Sequence, residues 1–217
     1  MKTPSGETIS PSRFIPLAEK TTIIIEIEHF VMKTAMRDML LLLEQNEDFL
    51  LSVNISVIHL LNENFITEFK QILELTGFPP ERLEIEITES VLITSVERAI
   101  HVLTELKAMG ISIALDDFGT GFASLSYLTK LPIDLLKIDK AFIDPITAGQ
   151  SSRDFVAAII SMGHLLRFDV LSEGAEKEEQ LEILRTLECD YVQGYVWGRP
   201  MSYDNVCKLL DGAETRR

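Results

Sequence analysis

The feature that most constrains this chain is a repeated alternation of short β-type runs with amphipathic helical stretches. After a polar opening that contains Pro and Gly, Thr22–Gln45 carries apolar residues at helical spacing and predicts a helix. A β-type run follows at Phe49–Ile55, then a helix from about Leu60 to Leu75 that Gly77-Phe-Pro-Pro80 stops. Leu83–Ile87 reads as the next strand and Ser95–Met109 as a helix ended by Gly110. The cycle continues with Ile111–Leu115 and a short helix near Ser124–Thr129, then Leu135–Ile138 and a helix near Ser152–Leu166. It closes with Asp169–Leu171 and Lys177–Leu187, then Tyr191–Gln193 and Tyr203–Leu210. One leading helix and six strand–helix units require a parallel sheet covered on both faces, an α/β fold. Two architectures fit: an open doubly wound sheet, or a TIM-like (β/α)8 barrel with its first two strands missing. The 217 residues fall short of the roughly 250 of a typical complete barrel. No linker or low-complexity tract divides the chain, so residues 1–217 read as a single domain.

The strand ends carry the chemistry. At or just past the C-terminal end of each run stand Asn54, Glu86, Asp116 with Asp117, Lys137, Glu173 and Gln193. In α/β barrels the loops that build active sites converge on that end. A single carboxylate there is ordinarily a helix cap or a solvated loop residue. Gathering Glu86, Asp116, Asp117 and Glu173 is another matter, because like charges repel unless a cation neutralises them. Carboxylates with one carboxamide, and no His or Cys, are hard oxygen ligands that suit Mg²⁺ or Mn²⁺. Adjacent acids at Asp116 and Asp117 could each face a different metal, as two-metal phosphoryl displacement requires. Lys137 offers a point charge for a water or a phosphate, and Glu173 a general base. Gly119 and Gly121, flanking Thr120, make a tight loop after the paired acids, suited to gating a site.

Charge and cysteine usage narrow the partners. Twenty Lys and Arg against 34 Asp and Glu leave a net charge of −14, which argues against nucleic-acid polymers and anionic membranes. A small anionic ligand remains admissible if a metal stands between the charges. No run is long and apolar enough to span a bilayer, and the N-terminus lacks a signal-peptide core, so a cytoplasmic location is expected. Cys189 and Cys207 have no spacing that suggests zinc or a disulfide framework. His29, His59, His101 and His164 are scattered singly, and each reads as a surface or core-edge residue.

At these residues the sequence resembles the EAL family of bacterial cyclic-di-GMP phosphodiesterase domains. The resemblance runs from Pro11 to Met201 through Phe14-Ile-Pro-Leu-Ala-Glu19, Ser52-Val-Asn-Ile-Ser56, Glu86-Ile-Thr-Glu89 and Asp116-Asp-Phe-Gly-Thr-Gly121. Lys137-Ile-Asp139, Ser172-Glu-Gly-Ala-Glu176 and Gln193-Gly-Tyr195 complete it. It implies that Asn54, Glu86 and Asp116 hold a first metal and that Asp116 bridges to a second held by Asp117. It implies that Lys137 holds the attacking water or the phosphate, and that Glu173 works as acid–base or second-metal glutamate beside Gln193. Glu89 resembles the glutamate that anchors the loop Asp117–Gly121, and Glu176 belongs to the substrate and loop set. The implied reaction is hydrolysis of one phosphodiester of cyclic-di-GMP to linear pGpG with Mg²⁺ or Mn²⁺. The family also implies a modified eight-stranded barrel, dimerisation near the Asp117–Gly121 loop, and upstream sensory or diguanylate cyclase domains.

The departures are as informative. The family's Glu-Ala-Leu tripeptide, on its second strand, occurs nowhere in the 217 residues. Its Glu is a ligand of the first metal, and an Arg shortly after it contacts the substrate phosphate. The chain therefore reads as an N-terminally truncated domain of weak or absent turnover, with uncovered sheet edge and apolar surface. A non-catalytic cyclic-di-GMP receptor or interaction module is the alternative. A Schiff-base lyase using Lys137 is disfavoured, since surrounding acids raise rather than depress an amine pKa. Ser172 stands where the family usually has Ala. Tyr195 and Trp197 are expected to pack at the closing strand.

Overall fold

A computed structural model describes residues 6–7, 9–44, 48–91, 95–119 and 125–214. Its strands are β1 (Leu51–Asn54), β2 (Leu83–Thr88), β3 (Ser112–Phe118), β4 (Leu135–Ile138), β5 (Asp169–Ser172) and β6 (Tyr191–Val192). They form a single parallel sheet in the order β1-β2-β3-β4-β5-β6. A doubly wound sheet reverses its strand order at a switch point. Here it never reverses, so the fold is the curled, barrel-type arrangement, a partial TIM-like barrel. Among the described residues β1 pairs only with β2 and β6 only with β5, which leaves the sheet open at both edges.

The pleat sorts the side chains. Val53, Ile85, Ile87, Ile113, Leu115, Leu136, Ile138 and Val170 are buried and join the core with helical residues such as Val102, Leu106, Ile160 and Leu184. Burying such side chains, each roughly 1.5–3 kcal/mol, drives the helices onto the sheet's outer face. The alternate positions face inward. Across β1 and β2 they are Ser52 opposite Glu84 and Asn54 opposite Glu86. That two-residue period delivers one polar side chain per strand to the C-terminal mouth.

The helices are α1 (Pro11–Ala18), α2 (Ile23–Leu43), α3 (Val57–Leu60), α4 (Phe65–Thr76), α5 (Val96–Ala108), α6 (Leu125–Leu128), α7 (Lys140–Ile143), α8 (Gln150–Leu165), α9 (Glu178–Thr186) and α10 (Tyr203–Glu214). Three differ from expectation. The polar opening contains α1, whose Pro11 stands at the first helical position, where a missing N–H costs nothing. The helix expected from Leu60 to Leu75 is two helices. Ser56 caps α3 by accepting from the His59 N–H at 3.3 Å, and Asn62 Oδ1 takes the Asn64 N–H at 2.9 Å to turn the chain between them. The third, α7, is capped by Asp139, which accepts from Ala141 N–H at 2.9 Å. Gly77, at φ 69°, ends α4 in the left-handed conformation its position requires.

Candidate active site

Lys137 is the centre of the mouth. Its side chain is 3% exposed, and its Nζ lies 2.8 Å from Glu86 Oε1, 3.2 Å from Asp116 Oδ1 and 2.7 Å from Glu173 Oε1. Burial by itself lowers the pKa of this ammonium. The charge of Glu86, the hydrogen bonds to Glu173 and Glu86, and the charge of Asp116 outweigh it and raise the pKa well above the ordinary lysine value. Lys137 is therefore a fixed positive charge.

The carboxylates exceed what one ammonium can neutralise. Oxygens of Asp116, Asp117 and Glu173 lie within 4.8 Å of one another. Desolvation, then the charges of Asp116 and Asp139, raise the pKa of Asp117. Desolvation also raises Glu173, with the Lys137 hydrogen bond opposing it and Asp116 reinforcing it. Crowded, partly desolvated oxygens of this kind are a donor set for a hard divalent cation. The residues present fit such an ion.

Asp117 reaches this group only through an irregularity in β3. In a regular strand, Asp116 and Asp117 would point to opposite faces. The register passes from Leu115 opposite Leu136 to Phe118 opposite Ile138, so β3 holds one residue more than β4 over this stretch. Asp117 takes φ 56°, a left-handed conformation that Asp tolerates better than most residues. The extra residue leaves both acids on the inner side and returns Phe118 to the core face. Beyond it, the Gly119 N–H donates to the buried Glu89 Oε2 at 3.3 Å. Gly119 has φ 96°, and a Cβ there would lie 2.8 Å from the Phe142 ring, so only glycine fits. Thr120 and Gly121 lie outside the described residues.

The other strand-end residues flank this centre. Asn54, exposed and opposite Glu86 in register, lines a cavity of about 640 Å³ at the open edge of β1, with Ser52, Ser56 and Thr88. Glu173, Glu176 and Gln193 line a second cavity of about 240 Å³ with Lys140, Gly174 and Tyr195. Gln193 is held there by its N–H to Ser172 O at 2.9 Å.

Two residues escaped the sequence reading. Lys140 Nζ lies 3.0 Å from Glu176 Oε1 and 2.6 Å from Asp144 Oδ1, and the Cβ of any residue replacing Gly174 would strike its side chain. Its position three residues after Lys137, beside a capping Asp, was the available signal. Glu84 is buried one pleat below Glu86, accepting from Ser52 Oγ at 2.8 Å; burial raises its pKa. Nothing in the sequence separated it from a solvated strand acid. Trp197 does not pack as expected: it is 70% exposed, and Tyr195 lies under the Arg199 guanidinium at 4.8 Å.

The sequence matches the EAL domain family model over residues 1–200. The chain belongs to the EAL domain family. Curated relatives include the signaling protein YkoW of Bacillus subtilis, 38% identical over 199 residues, covering 92% of this chain and 25% of that protein. The cyclic di-GMP phosphodiesterase NbdA of Pseudomonas aeruginosa is 38% identical over 199 residues, covering 91% of this chain and 25% of that protein. The chain thus spans about a quarter of the length of these relatives. Among solved structures, the PaMucR phosphodiesterase in complex with c-di-GMP superposes with a TM-score of 0.89 at 35% identity, covering 94% of this chain and 83% of that one. The EAL domain of Mycobacterium smegmatis DcpA gives 0.81 at 29% identity, covering 88% and 86%. No helix among the described residues is long and apolar enough to cross a membrane.

Proposed function

We propose that this EAL domain is a cyclic-di-GMP-specific phosphodiesterase module that cleaves one phosphodiester to give linear pGpG. The observation that carries this reading is the group Asp116, Asp117 and Glu173, with oxygens within 4.8 Å of one another beside a buried ammonium. The likeness to a phosphodiesterase solved with c-di-GMP supports the choice of substrate.

In this reading Asn54, Glu86, Asp116 and Asp117 hold Mg²⁺ or Mn²⁺, with Glu173 beside them. Bound there, the ions supply charge neutralisation and an acidified water. Lys137 keeps its proton and sets a positive charge against a phosphate oxygen as negative charge develops. Glu173, its pKa raised by desolvation, is suited to accept a proton from water and pass it to the leaving oxygen. Glu89 holds the loop after Asp117 through Gly119 N–H, and Glu176 and Gln193 form the wall of the adjoining cavity. The module acts in the cytoplasm within a longer signalling protein carrying sensory or diguanylate cyclase domains upstream, and it dimerises near the Asp117–Gly121 loop. The greater length of the relatives supports its place in a longer protein.

The test is turnover of cyclic-di-GMP with Mn²⁺ or Mg²⁺, followed by chromatography. Formation of pGpG, abolished by Asp116→Ala and by Glu173→Ala, is the expected result. The alternative reading is cyclic-di-GMP binding without turnover. Calorimetric binding without pGpG would select it. Neither binding nor turnover would remove both.

A further inference from the structure

The histidines that sequence leaves scattered do not stay so. His29 on α2 and His59 on α3 meet edge-on, with ring centroids 4.9 Å apart, and Glu68 on α4 joins them. The side chain of His59 is 1% exposed, and its Nδ1 lies 2.6 Å from Glu28 Oε2. The same carboxylate accepts the Ser56 N–H at 2.8 Å through Oε1, so its position is fixed from two sides. A carboxylate on Nδ1 makes that nitrogen the donor and leaves the lone pair on Nε2. Among the described residues that buried Nε2 has no hydrogen-bond partner, and the buried Nε2 of His29 has only the Glu68 carboxylate at 3.4 Å, without hydrogen-bond geometry. Two buried imidazole nitrogens without a hydrogen bond are costly unless something accepts their lone pairs.

We propose that His29 Nε2, His59 Nε2 and Glu68 Oε2 form a binding site for a divalent transition-metal ion, Zn²⁺ by ligand chemistry, separate from the strand-end carboxylates. One ring nitrogen of each histidine and one carboxylate oxygen of Glu68 lie within 4.8 Å of one another. Tetrahedral zinc with bonds of about 2.0–2.1 Å needs donors roughly 3.4 Å apart. His29 Nε2 and Glu68 Oε2 are already 3.4 Å apart. Two imidazoles and a carboxylate suit zinc, whereas the all-oxygen set at the strand ends suits magnesium or manganese. Glu28 supplies the outer carboxylate that orients a metal-binding histidine. The half-exposed Glu68 opens the site to solvent, where water takes the fourth position. Three helices would be tied together by the ion just behind Asn54, two residues before Ser56.

The test uses the 217-residue protein with excess Mg²⁺ to fill the strand-end group, titrated with Zn²⁺ and, for spectroscopy, Co²⁺. The wild type is expected to take up one Zn²⁺ more tightly than His29→Ala, and to give with Co²⁺ the strong visible absorption of a four-coordinate centre. Glu68→Gln, on a half-exposed side chain that does not threaten folding, is expected to lose the same ion. Glu28→Gln should weaken it on the order of 10–100-fold. Equal zinc stoichiometry and affinity in wild type and Glu68→Gln, with both proteins folded by circular dichroism, would overturn the proposal. So would Co²⁺ bands that persist in His29→Ala.

Discussion

At the N-terminal end of the sheet, Asp134 and Asp190 each have a partner of their own. At the C-terminal end Glu86, Asp116 and Glu173 share the single ammonium of Lys137. The lower end repeats one device twice. Asp134, just before β4, takes Lys107 Nζ from α5 at 2.6 Å and the Ile113 N–H of β3 at 2.8 Å. Asp190, just before β6, takes His164 Nε2 from α8 at 2.8 Å and the Val170 N–H of β5 at 2.8 Å. In both, a helix side chain and the second residue of the strand it precedes converge on the acid before the following strand. Each acid meets one side-chain donor and one backbone N–H, and the register of two strands is clamped. The upper end has the same carboxylate chemistry with charge left over. The difference separates acids that hold the barrel together from acids that wait for a cation, in line with the division of labour between the two ends of such barrels.

The sharpest way to break this comparison is Asp116→Ala. It should cut divalent-cation affinity, read by calorimetry, and any turnover on the order of 10³-fold or more, with thermal stability unchanged or higher because a repelling charge is gone. A large loss of stability instead would mean that the upper acids are structural after all. Lys137→Met comes next and acts on folding. Removing the shared cation strands buried carboxylates and should cost about 3–5 kcal/mol in denaturant titration, part of it recovered by Mn²⁺. Asp134→Ala should cost about 1–2 kcal/mol, since the Lys107 pair is partly exposed and the main loss is the Ile113 N–H partner, and it should leave metal affinity untouched. Ser172→Ala tests the smallest effect. Among the described residues the buried Ser172 hydroxyl meets only the weakly bonding Cys189 thiol, so its removal should change stability by no more than about 1 kcal/mol in melting experiments.

The fold was legible because its signal is local and repeated. Apolar runs of strand length, each followed by helical spacing, gave six strands within a few residues of those observed, from Leu51–Asn54 to Tyr191–Val192. The misses were local competitions between side chain and backbone. Asn62 and Ser56 drew backbone N–H groups away from a continuous helix, and Asp139 started α7 in a segment without apolar periodicity. Within the site, Glu86, Asp116, Lys137 and Glu173 were readable because each sits at a strand end, and parallel strands in sequential order bring such ends together. Asp117 could be named but not aimed: its side depends on the extra residue in β3 and a positive φ, neither visible in the spelling of the chain.

By itself, then, the sequence determined the strand–helix order, the polar residue at each strand end and the family to which these motifs belong. The first two follow from periodicity and spacing along the chain, the third from the match of its motifs to those of the family. Only the tertiary structure decided that strand order never reverses, that Asp117 joins Asp116 on one face, and that Lys137 lies among three acids. It also decided that Glu28 meets His59 across 31 positions and that His29 and Glu68 stand beside them. Such meetings depend on how helices pack against the sheet and against one another, and no local pattern encodes a distance between residues that far apart.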